Sequence, residues 1–137
     1  MHDIEIKNMI QMAMDVRTRA YTPYSHYNVG ACLKGESGAY YLGCNVENVS
    51  FGLTLCAERV AVVKGISDCE KRFVALAIVA DDIHMPYPCG ACRQVLMEFC
   101  KPTMPVIVAN RKGEYEMHTL GEFLPHPFGE DQMRGVF

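Results

Sequence analysis

Two short segments hold residue types able to do chemistry together: Cys56-Ala57-Glu58 and Pro88-Cys89-Gly90-Ala91-Cys92. Both stand where the pattern of residues predicts a helix to begin. Cys89 and Cys92 are three residues apart and so share one helical face. A helix N-terminus presents unsatisfied N–H groups and positive partial charge, and both stabilise a thiolate. If the two helix starts lie side by side, three sulfurs converge on one point. Three protein ligands with an open fourth position is the pattern of a catalytic zinc rather than a structural one. A Cys-x-x-Cys pair taken alone also fits a redox dithiol or half of a structural zinc site. Glu58, two residues after a candidate ligand, shifts the balance toward catalysis, because a carboxylate beside a metal-acidified water can carry its protons. Glu58 also fits a plain first-turn carboxylate that favours the helix dipole. For a closed structural site the candidate fourth ligands are Cys69, Cys100 and His84, and none has a closing spacing.

The elements that must position these groups are legible from periodicity. Ile6, Met9, Ile10, Ala13, Val16 and Ala20 recur at three-to-four spacing, which predicts an amphipathic helix over 4–20. Asp3 is its expected N-cap and Thr22-Pro23 its stop. Tyr27 to Leu33 and Ala39 to Cys44 flank Gly35-Glu36-Ser37-Gly38 and predict a hairpin. A second helix is expected from Cys56 to Lys64, with Gly65 as its stop. Phe73 to Ala80 is apolar throughout, as in a strand covered on both faces. A third helix is expected from Cys89 through Leu96 and Phe99 to Pro102. Strands follow at Pro105 to Ala109 and Glu114 to Thr119. The order αββαβαββ predicts a three-layer α-β-α sandwich around a mixed five-stranded sheet.

Composition narrows the setting. The 137 residues suit one domain, here taken as 1–137. Half of them are hydrophobic and 21% are charged, which excludes a disordered chain. A formal charge of −3 argues against a protein living on phosphate contacts, so no nucleic acid partner is expected. The N-terminal MHDIEIKNM carries charges where a secretion signal needs an apolar stretch. The longest fully apolar run has eight residues, too short to span a bilayer, so no membrane partner is expected. Seven cysteines, an odd number, argue against a disulfide framework and for a cytoplasmic protein. Cys32 and Cys44, on predicted strands, are expected in the core, whereas Cys69 and Cys100 have no derivable role.

With both motifs in view, the chain resembles the small homotetrameric cytidine deaminases of pyrimidine salvage, whose signature pairs a Cys-x-Glu with a distant Pro-Cys-x-x-Cys. The likeness covers nearly the whole chain in order: YSHYNVGA at 24–31, GCNVEN at 43–48, TLCAER at 54–59, PCGACRQVL at 88–96 and LPHPFG at 124–129. It implies one Zn²⁺ per chain on Cys56, Cys89 and Cys92, with Glu58 as the proton shuttle. It implies that Arg59 donates hydrogen bonds to ligand sulfurs and offsets the −1 charge of three thiolates on Zn²⁺. It also implies that Asn45 and Glu47 bind ribose hydroxyls, that Ala57 and Tyr27 contact the substrate, and that Phe51 and Phe128 come from neighbouring subunits. Phe128 would stack on the base, so the homotetramer completes each site.

The implied reaction is hydrolytic deamination of cytidine and 2′-deoxycytidine. The alternative is a relative acting on a modified cytosine nucleoside, such as an antibiotic, against which Glu47 argues. Acidity and short length count against a polynucleotide substrate. Glu58 counts against an inactive, metal-stabilised assembly module. Two positions depart from the family pattern: Tyr27 stands where phenylalanine is common, and Phe51 where tyrosine is frequent. Both keep an aromatic ring while changing which one carries a hydroxyl.

Overall fold

The computed structural model describes residues 1–134. Its first helix, α1, spans Asp3–Arg17 and buries Ile6, Met9, Ile10, Ala13 and Val16. It ends three residues before the apolar period does, because Thr18, Arg19 and Ala20 wind as tighter turns that bond three residues back. His2, not Asp3, is the N-cap; Asp3 lies in the first turn with Glu5, where its charge meets the helix dipole. Strands β1 (Val29–Gly35) and β2 (Tyr40–Cys44) form the expected hairpin, with Gly30 opposite Cys44 and Lys34 opposite Tyr40. Tyr27 therefore lies just before the strand rather than in it.

Helix α2 spans Ala57–Ser67 and runs through Gly65. Gly65 is not a stop: a Cβ there would come within 2.6 Å of the Phe73 ring, so the residue lets the helix close on strand β3 (Phe73–Ala80). The chain turns instead at Cys69, whose φ of 69° is left-handed. Strand β3 is buried on both faces apart from exposed Val74. Helix α3 spans Gly90–Phe99, shorter than its expected end at Pro102, because Cys100 is extended and bridges Phe73. Strands β4 (Pro105–Ala109) and β5 (Tyr115–Thr119) follow, then the short helices α4 (Leu120–Phe123) and α5 (Glu130–Arg134).

Among the described residues the five strands form one sheet in the order β2-β1-β3-β4-β5. Only β3 and β4 are parallel, joined by the α3 crossover. Alternating side chains face opposite layers. Cys32, Ala75, Ala77, Val79 and Ile107 pack on α1, while Leu33, Leu76, Ile78 and Val106 pack with Ala61 of α2, Leu96 of α3 and Leu120 of α4. The three-layer, mixed-sheet expectation holds. Cys32 is fully buried as expected, whereas Cys44, at the end of an edge strand, is only partly so.

The layout brings two connections to one end of the sheet. Residues 81–89 lead from the carboxyl end of β3 into α3, and residues 45–56 lead from β2 into α2. The second is pinned at its base, where Val46 and Leu55 exchange both backbone hydrogen bonds at 2.9 Å.

Candidate active site

Cys56 and Cys89 are the N-caps of α2 and α3, and both have extended backbones. An N-cap side chain ordinarily accepts hydrogen bonds from its own helix. Neither thiol does so here, which leaves both sulfurs free to face each other across the two helix starts. Cys92, in the first turn of α3, completes the group, and all three Sγ atoms lie within 4.8 Å of one another. The Cys56–Cys89 and Cys89–Cys92 separations are 3.8 and 3.5 Å. Thiolates at about 2.3 Å from a tetrahedral zinc stand roughly 3.8 Å apart, so the donor set and its spacing fit that ion. Arg59, one turn along α2, donates from Nη2 to Cys56 Sγ at 3.4 Å and to the Thr54 carbonyl at 3.3 Å. Hydrogen bonds from Cys92 and Arg59 hold the Cys56 thiol at about 5, well below its ordinary value. Both contacts favour the anionic form of Cys56, the form that binds a metal.

Glu58 follows Cys56 by two residues and is 5% exposed. Burial lifts its carboxyl to about 7, so it can both accept and return a proton near neutrality. It opens onto a cavity of about 200 Å³ that Cys56, Cys89, Ala57, Asn45 and Tyr27 also line. Most of the expected site residues therefore converge. Val29, Ile78, Pro86 and Tyr87 complete the lining and carry no motif of their own. For Tyr87 the available signal is its place two residues before Cys89.

Asn45 and Glu47 do not sit side by side on one strand, because β2 ends at Cys44. Asn45 faces the cavity and spans the hairpin entrance. Its Oδ1 accepts the Val29 N–H at 2.9 Å, and its Nδ2 donates to the Tyr27 carbonyl at 2.8 Å. One N–H and one lone pair remain for a ligand. Glu47 lines a separate hollow with Tyr24, Ser25, Phe51 and Thr54. Its carboxylate accepts the Tyr24 and Ser25 N–H groups at 3.0 and 3.1 Å and the Ser25 hydroxyl, which holds its pKa below the ordinary range. The Phe51 ring meets Tyr24 edge-on at 5.8 Å and is 74% exposed. Phe128 stands apart from the cavity. Its ring is exposed, but its backbone is docked on its own α3, where Gln94 donates to its carbonyl at 2.7 Å and accepts its N–H at 3.2 Å. His26 and His84 lie outside the sulfur cluster.

The geometry agrees with comparisons to known proteins. Residues 4–108 match the family described as the cytidine and deoxycytidylate deaminase zinc-binding region. A cytidine deaminase from Sporosarcina psychrophila is 44% identical over 130 residues, covering 95% of this chain and 96% of that protein. One from Halalkalibacterium halodurans is 42% identical over 125 residues, covering 91% and 95%. The crystal structure of cytidine deaminase from Burkholderia pseudomallei superposes with a TM-score of 0.86 at 39% identity, covering 93% of this chain and all of the other.

Proposed function

The chain belongs to the cytidine and deoxycytidylate deaminase zinc-binding family, and from that premise we propose that it hydrolyses free cytidine and 2′-deoxycytidine to uridine and 2′-deoxyuridine, releasing ammonia. The observation that carries this reading is a buried carboxylate, Glu58, lining one cavity with Cys56 and Cys89 of the three-cysteine cluster. Cys56, Cys89 and Cys92 would hold one zinc ion per chain. Bound there, zinc supplies a water acidified to near neutrality.

Glu58 takes a proton from the attacking water and delivers it to ring nitrogen 3 as the C4–O bond forms. It then takes the remaining hydroxyl proton and gives it to the amine, so that the C4–N bond breaks and ammonia leaves. The sequential steps let one carboxylate act first as base and then as acid. Arg59 offsets the charge of the three thiolates, which would otherwise weaken the metal as a Lewis acid. Asn45 and Glu47 use their remaining hydrogen-bond capacity on the sugar, with Glu47 on the 3′-hydroxyl. Ala57 and Tyr27 pack beside the base.

Val49, Phe51 and Leu53 are 77%, 74% and 67% exposed on one excursion of a single chain. Such a surface supports burial against other subunits, and with it the homotetramer in which Phe51 and Phe128 serve neighbouring sites. The substrate is a small nucleoside. Among the described residues, no helix is long and apolar enough to cross a membrane. The seven thiols fit the reducing cytoplasm, where nucleoside salvage takes place.

An ultraviolet assay of cytidine and deoxycytidine, with zinc quantified on the same sample, tests the reading. Turnover with about one zinc per chain is expected. Glu58→Gln should lose nearly all turnover while keeping zinc and fold, and deamination at the parent rate by that variant would sink the mechanism. Full zinc without turnover of either nucleoside would redirect the assignment to modified cytosine nucleosides.

A further inference from the structure

We propose that Tyr87 is a specificity-determining wall of the cavity, held by Glu116 and His118 of β5, that limits substituents on the base edge next to the reacting carbon. The inference rests on the cavity being the nucleoside pocket. Tyr87 lines that cavity two residues before Cys89. It shares that lining with Cys56, Glu58 and Cys89, the groups beside which C4 must lie. The ring atom adjoining C4 that can carry an extra group is C5.

Tyr87 is half exposed and belongs to an irregular connection, yet it is anchored. Its hydroxyl donates to Glu116 Oε1 at 2.8 Å. The same oxygen faces His118 Nε2 at 2.9 Å, and His118 Nδ1 faces Glu122 Oε2 at 3.0 Å. The carboxylates Glu116 and Glu122 at its two ring nitrogens favour the cationic form of His118, which donates from both and so fixes Glu116 in turn. The rings close around this chain, with Tyr87 5.8 Å and His118 5.2 Å from Phe123. Arg93 ties down the next residue, donating to the Pro88 carbonyl at 2.6 Å and to the Phe123 carbonyl at 2.9 Å. A side chain held this way has little freedom to move aside, so added bulk meets a fixed surface.

The test is the ratio of kcat/KM for 5-methylcytidine to that for cytidine. One methyl group against an apolar wall is worth about tenfold or more. Tyr87→Ala should therefore raise the ratio by about tenfold. Tyr87→Phe keeps the ring but frees it, and should raise the ratio less. Glu116→Ala should match Tyr87→Phe, the double variant should add nothing further, and Glu116→Gln, which still accepts the hydroxyl, should restore the parent ratio. A merely structural role for Tyr87 would depress both substrates together and leave the ratio unchanged, and that result in Tyr87→Ala overturns the proposal. Calorimetric binding of 5-methyluridine against uridine reads the same wall without turnover. A raised binding preference in Tyr87→Ala, with a parent protein that deaminates no cytidine, would fail the proposed reaction and support the wall. No change in that preference would overturn the wall.

Discussion

Three thiolates around one divalent ion would leave a net negative centre, and the cation in contact with the cluster is Arg59. Its guanidinium reaches Cys56 Sγ at 3.4 Å while a second bond to the Thr54 carbonyl holds it in position. Replacing it with leucine removes the charge and both bonds but keeps an apolar stem in the helix. Zinc affinity should fall about 10–100-fold, as is typical when a group supporting a metal ligand is lost. Competition with a chelator, on protein whose circular dichroism matches the parent, measures this. An unchanged affinity would reduce Arg59 to a helix arginine tied to Thr54. At this scale the sequence is informative where chemistry sits in local spacing: Cys56, Glu58, Cys89 and Cys92 could be read without coordinates. What Asn45 and Glu47 touch could not be, because their partners at Tyr24, Ser25, Tyr27 and Val29 lie some 16 to 23 residues away. Tyr87 illustrates the same limit, since nothing near it in sequence announces an anchor on Glu116, 29 residues on.

The elements transmit packing to the metal site, and helix α2 shows how. At its start the backbone presses on β2: a Cβ at Gly43 would come within 2.3 Å of the Ala57 carbonyl and 2.6 Å of the Ala61 nitrogen. Those atoms are backbone, so relief requires moving the helix end that carries Cys56 and Glu58. At the far end of the helix, Gly65 faces the Phe73 ring instead, and that contact is remote from the sulfurs. Overpacking costs about 1–3 kcal/mol. Gly65→Ala also recovers roughly 1 kcal/mol of helix propensity. Gly43→Ala should therefore lower the melting temperature more than Gly65→Ala, and of the two only Gly43→Ala should lose zinc faster to a chelator well below either midpoint. Equal zinc loss from both would mean that the start of α2 has no special hold on the metal. Gly65 also shows why boundaries are harder to read than element types. A glycine after an apolar run reads as a helix stop, and only the approach of Phe73 from another element explains why the helix continues. Helix α4, four residues long, is too short to display a period at all. The strands and the longer helices, whose apolar patterns repeat, were legible to within a few residues.

At the scale of the whole molecule, an αββαβαββ order is enough to argue for layers around a mixed sheet, but one chain's residues do not say what its neighbours supply. Phe128 makes this concrete. Gln94 clips its backbone to α3, two residues past Cys92, while its ring stays 59% exposed and outside the cavity of its own chain. A ring held by its main chain and turned outward is suited to a neighbour's site. If it stacks on the neighbour's bound base, Phe128→Ala should cost about 1–3 kcal/mol of substrate binding. Glu58→Gln should be inactive for a separate reason. Co-expressing the two variants then discriminates between neighbour and self. In a mixed assembly, a chain carrying Phe128→Ala still owns Glu58, and a Glu58→Gln neighbour still owns Phe128. With equal amounts and random mixing, roughly one site in four combines both intact groups. At substrate well below KM, the rate should therefore rise well above the sum of the two parent variants measured alone. If Phe128 served its own chain, no mixed site would hold both groups and the activities would simply average. The experiment also needs the chains to assemble, so it should fail when Phe51 and Leu53, the exposed rim beside the site, are both changed to glutamate. Gain on mixing, abolished by those charges, would tie catalysis to the oligomer through one side chain.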